Sequence, residues 1–149
     1  MAGRLGRPAL IGAALVTGLA LLGTGCATSY QDARNPLLSW SGGYWNEPGP
    51  GALETVGFFG NGALSREQAG VYLLYHCAEL AWHHHKRYFS AYASLDDVVD
   101  GRPVADPYVV DTLAGRPYGK VYVLYHSTPV AGALSTVEII RKYQRQTLE

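Results

Sequence analysis

The chain is poor in cysteine, carries no net charge and, beyond its first two dozen residues, has no long apolar run; each shortage excludes a class of protein. Two cysteines in 149 residues, Cys26 and Cys77, cannot build the multiple bridges of a disulfide-stapled scaffold. Twelve Lys and Arg balance twelve Asp and Glu, and without a basic face the chain lacks the electrostatic footprint of a nucleic-acid binder. No Gly-x-Ser-x-Gly elbow presents a hydrolase nucleophile. The aspartates Asp96, Asp97, Asp100, Asp106 and Asp111 lack the spacing of a calcium loop and read as solvated loop acids. No internal repeat is visible.

What is present begins at the amino terminus. Arg4 and Arg7 precede an apolar run from Ala9 to Gly23, followed by small residues ending in Cys26, the three-part layout of a secretory signal. At 1.5 Å per residue such a run spans about 22 Å, short of the roughly 30 Å hydrocarbon core, so a permanent membrane span is the weaker reading. Leu21-Leu22-Gly23-Thr24-Gly25-Cys26 resembles a lipobox, at which a bacterial signal peptidase cleaves before a lipid-modified cysteine, although Gly23 stands where leucine is usual. The competing reading is ordinary cleavage after Ala27. Ala27, in place of aspartate after the cysteine, favours by the same resemblance the periplasmic face of the outer membrane. Several acyl chains on Cys26 would give stable anchoring, which one chain does not.

Removing residues 1–25 takes away Arg4 and Arg7 and no acid, leaving 10 basic against 12 acidic residues, a net charge of −2. Residues 26–37 are polar and aperiodic and read as a lipid-proximal tether, and residues 38–149 suit one domain. Its expected elements are strands at 38–44 and 54–59, with loop chemistry in Asn46-Glu47-Pro48-Gly49-Pro50-Gly51. A helix follows from Ser65, capped with Gln68, to about His85; then strands at 88–93, 108–112 and 120–127. A second capping box, Ser135 with Glu138, opens a short terminal helix carrying Leu134, Val137, Ile140 and Tyr143 at helical spacing. The order implies an α+β domain, a small mixed or antiparallel sheet with one long and one short terminal helix packed on one face. Phe89, Trp82, Val121, Val123 and Tyr125 are expected in the core, and Cys77 as a small buried hydrophobe. The long helix is so apolar that most of its surface must be covered, by the sheet or else by an oligomer contact or the bilayer.

Gly43-Tyr44, Phe59-Gly60-Asn61-Gly62 with Ser65-Arg66-Glu67, Ala78-Glu79-Leu80 and Tyr88-Phe89 resemble the pattern of a family of uncharacterised proteobacterial lipoproteins, over residues 40–93. The family pattern has arginine where this chain has His76, and glycine near the helix end where it has His85. The resemblance implies an envelope location and a small domain after the lipobox, and no activity.

Three sets of side chains invite chemistry. His76, Glu79 and His83 stand at i, i+3 and i+7 on one side of the helix, a spacing that offers zinc or copper ligands with His84 or His126 completing a site. Ser65, His76 and Asp111 can be assembled into a nucleophilic trio, as in most chains of this size. Tyr88, Tyr92 and Tyr122 could share a sheet face that receives sugar rings or a partner. Gly60-Asn61-Gly62 before the helix could seat an anion, but reads first as a turn using positive φ. The function expected is that of a membrane-anchored envelope lipoprotein, non-catalytic and without a cofactor, acting through envelope proteins or cell-wall polymer. The alternative is a periplasmic metal-binding or metal-sensing lipoprotein using His76, Glu79 and His83.

Overall fold

A computed structural model describes residues 30–33 and 42–148; the leader, Cys26, most of the tether and residues 38–41 of the first expected strand lie outside them. The elements are β1 (Gly43–Pro48), β2 (Glu54–Phe59), α1 (Arg66–His83), β3 (Tyr88–Tyr92), α2 (Leu95–Val99), β4 (Asp111–Leu113), β5 (Arg116–His126), β6 (Leu134–Ser135) and α3 (Thr136–Thr147). The strands form one antiparallel sheet in the order β1-β2-β5-β3-β6, with β4 paired to the start of β5. The α+β class is as expected, and the sheet is wholly antiparallel.

Strand β5 is the spine, pairing β2 along one edge and β4 then β3 along the other. Its alternation places Val121 and Val123 on the buried face with Val56 and Phe58 of β2 and Phe89 and Ala91 of β3. Helix α1 packs against this face and α3 packs beside α1. Phe58 and Phe89 are the largest fully buried side chains, each contributing about 1.5–3 kcal/mol.

The ends of α1 follow from its sequence. Ser65 is the N-cap, its hydroxyl accepting from the Gln68 amide at 3.0 Å. At the other end His85 supplies the left-handed residue, φ 55°, in place of glycine. The His85 and Lys86 amides donate to the Trp82 and Ala81 carbonyls at 3.0 and 2.8 Å, the paired closure of a Schellman motif. Cys77 is fully buried, and burial pushes its thiol pKa up.

Several expectations are corrected. β1 begins at Gly43 and continues through Asn46, Glu47 and Pro48, because the hairpin reverses later, where the Gly49 amide donates to the Leu53 carbonyl and the Leu53 amide to the Pro50 carbonyl. Pro48 is tolerated because β1 is an edge strand. β5 starts at Arg116, four residues before the expected strand, since Ala114 and Gly115 both take positive φ and fold β4 tightly back onto it. Ser94 caps α2 within the acidic stretch that reads as loop. The buried side of α3 is Thr136, Ile139, Tyr143 and Thr147, leaving Val137 exposed and Ile140 at the rim. Trp82 is 60% exposed and does not join the core: it sits on the last turn of α1, at the mouth of the groove with α3.

A side chain at Gly70, in the second turn of α1, would collide with the Tyr108 carbonyl. Gly70→Ala is therefore expected to lose about 1–3 kcal/mol to overpacking, although alanine is the better helix former by about 1 kcal/mol. His85→Gly is expected to gain about 1 kcal/mol by relieving a left-handed backbone. Thermal unfolding checks both, and a stabilised Gly70→Ala chain would refute the close approach.

Candidate functional site at the amino-terminal clasp

Residues 30–33, expected within a free tether, are instead fastened to the domain. Gln31 and Ala33 exchange backbone hydrogen bonds with Tyr44 of β1, both at 2.8 Å, forming a parallel bridge between Asp32 and Tyr44. Gly43 makes this possible: its φ is 141°, and a Cβ there would overlap the Gln31 carbonyl.

Tyr30 then reaches across α1. Its ring lies 4.8 Å from Tyr44 and edge-on to Tyr72 and Tyr75 at 5.7 and 5.2 Å, within the range of favourable aromatic packing. Its phenol donates to the Glu79 carboxylate and lies 3.2 Å from His76 Nδ1. Burial, then the hydrogen bond to Glu79, pushes the Tyr30 pKa well above that of a free phenol, so the group remains a donor. His76 stacks on Tyr44 with centroids 3.9 Å apart and is 6% exposed; its Nδ1 is 3.5 Å from Glu79, and its buried Nε2 has no partner among the described residues. The clasp thus combines a stack of rings with one shared carboxylate.

The structure also places His76, Glu79 and His83, the three side chains at metal-ligand spacing in the sequence. His76 and Glu79 come together, one turn apart on α1, but His83 lies two turns beyond His76, about 10 Å along the axis, so it shares the groove with Glu79 but not the clasp with His76. Among the described residues no three His, Cys, Asp or Glu side chains could hold one metal ion. Ser65, His76 and Asp111 also stay apart: Ser65 caps α1, His76 is in the clasp, and Asp111 is fully exposed opposite Arg66. Neither Gly60 nor Gly62 takes positive φ; the Asn61 side chain closes that turn by accepting from the Ala63 amide at 3.0 Å.

Two further polar groupings appear that local pattern does not reveal. On the buried face, the Glu54 carboxylate accepts from Tyr125 Oη at 2.6 Å and Asn46 Nδ2 at 2.5 Å, with His84 Nε2 at 3.3 Å, beside an open cavity of about 520 Å³. On the opposite face, Ser90 Oγ lies 3.0 Å from His126 Nε2, but Ser90 is wholly buried and cannot meet a substrate. Burial holds the His126 pKa below its ordinary value. Tyr92 and Tyr122 are direct cross-strand neighbours there, with Tyr88 opposite His126, so the three tyrosines do share a face. The only hint of the clasp in the sequence is an aromatic residue, Tyr30, within a stretch otherwise small and polar.

Next to the clasp, between α1 and α3, runs an apolar groove of about 330 Å³ lined by Tyr75, Glu79, Trp82, Val137, Ile140 and Arg141. Tyr75 and Glu79 belong to both clasp and groove.

Tyr30→Phe keeps the ring and removes the donor; it is expected to cost about 1–2 kcal/mol. Hydrogen exchange at the Ala33 amide should accelerate while the β5 amides stay protected; unchanged exchange at Ala33 would argue against the clasp. For Glu54, burial pushes the pKa up, but hydrogen bonds from Tyr125, Asn46 and His84 outweigh it and hold the folded value below the ordinary 4.5. A depressed carboxylate adds stability that is present above pH 4.5 and is lost as pH falls through the folded value. Glu54→Gln should therefore flatten the acid limb of the stability profile, read by denaturant titration at stepped pH; an unaltered slope would contradict the assignment.

No protein-family model, curated protein or solved structure matches the chain, and what it does is read from its own residues.

Proposed function

We propose that the chain is an envelope lipoprotein whose domain works by contact and not by catalysis: processed before Cys26, lipidated there, and held on the periplasmic face of the outer membrane. Its partner on this reading is an envelope protein or cell-wall polymer. The observation that carries it is the position of the clasp. Tyr30 is embedded in the domain only four residues after Cys26, and four residues reach at most about 14 Å. A lipid on Cys26 would therefore hold the domain close against the bilayer, where a free tether of residues 26–37 would let it range. No helix among the described residues is long and apolar enough to cross a membrane. A contact role is further supported by the polar clusters, whose acceptors are met by partners from the domain itself and whose serine is buried.

Cys26→Ala is expected to abolish palmitate labelling in cells and to move the chain from the membrane to the soluble fraction. Retention of both would overturn the proposal.

A further inference from the structure

The clasp also determines which side of the domain stands nearest Cys26. Tyr30 touches Tyr75 and Glu79, and both line the groove between α1 and α3. Trp82 projects between that groove and an adjoining hollow of about 170 Å³, whose walls include Lys86, Arg87 and Val137. A tryptophan 60% exposed beside Val137 and Ile140 is an unusual use of the most interface-seeking side chain, whose ring is apolar and whose indole N–H is polar.

The charge around it has one sign. Arg141 edges the groove and Lys86 and Arg87 the hollow. The one carboxylate lining either is Glu79, already engaged by Tyr30 and His76. Among the described residues none of Lys86, Arg87 and Arg141 is in ion-pair distance of an acid; Lys86 and Arg87 donate to Ser127 oxygens, which are uncharged.

We infer that this patch, Trp82 with Val137 and Ile140 inside a rim of Arg141, Lys86 and Arg87, rests on an anionic phospholipid surface. The inference deepens the lipoprotein reading and rests on it, since the lipid on Cys26 is what brings the patch to the bilayer. An apolar ring at headgroup depth flanked by cations is the arrangement that binds anionic leaflets. A second copy of the chain is the less suitable occupant, because two such patches would face each other with like charge.

The test uses the chain as cells process it, reconstituted in phosphatidylethanolamine vesicles with or without phosphatidylglycerol and containing a phospholipid brominated near the headgroup. Bromine should quench part of the tryptophan emission, and Trp82→Phe, a change at an exposed position, should lose that part while its near-ultraviolet dichroism from the remaining aromatic residues retains a folded signature. Arg141→Glu, or omission of phosphatidylglycerol, should reduce the Trp82-dependent quenching several-fold. Equal quenching in wild type and Trp82→Phe overturns the inference. So does quenching indifferent to both Arg141→Glu and phosphatidylglycerol, or cross-linking from position 82 to a second copy. The mass of the amino-terminal peptide keeps the two proposals apart. An acylated Cys26 with Trp82 unquenched refutes the patch and leaves the anchor; an unmodified Cys26 with Trp82 quenched refutes the anchor and leaves the patch.

Discussion

An 18-residue helix with only a narrow polar stripe has to hide most of its circumference, and the fold is organised around meeting that demand for α1. Four pieces of chain share the task. The sheet takes one side through Val56, Phe58, Val121 and Val123, and α3 lies along another through Ile139 and Tyr143. The segment entering β4 presses so close that Gly70 has no room for a side chain against the Tyr108 backbone. The amino-terminal segment closes the remainder with Tyr30. Eleven positions of α1 are buried as a result, and burial on that scale is the dominant favourable contribution to folding.

The covering is incomplete at one end. At the last turn of α1 Trp82 is left at the surface, and the three histidines after it are exposed as well. That end lies beside the clasp, because Tyr30 and Trp82 approach the same stretch of helix around Glu79. One geometric fact therefore links packing to the proposed anchor: the segment that completes the core is also the one that leads directly to Cys26. A residue that would make an ordinary tether mobile here makes it short.

The polar side chains inside the domain serve this packing. Glu79 and His76 fasten Tyr30, and Glu54 ties β1 and β2 to Tyr125 of β5 and His84 beyond α1. A buried carboxylate without such donors would cost several kcal/mol. Each cluster joins elements far apart in sequence, so each fixes a register as well as satisfying a charge. The exception is His76 Nε2, buried without a partner among the described residues; its cost is borne by a ring whose other nitrogen and face are well engaged.

The sequence by itself determined what is written in local pattern: the helix starts at Ser65 and Ser135, and the alternation that buries Phe89, Ala91, Val121 and Val123. Caps and periodicity act within a few residues, and so can be read along the chain. Only the tertiary structure decided what those elements meet. The i, i+3, i+7 spacing of His76, Glu79 and His83 suggested a metal site, but what His76 and Glu79 meet is Tyr30, 46 residues from His76. Trp82 has the composition of a core residue, and its exposure was settled by where α3 lies across α1. The polar residues of Asn46 to Pro48 signalled a loop, and pairing with β2 drew them into a strand. In each case a long-range contact outweighed a local preference, because a side chain's environment is set by the register and orientation of the elements that cover it.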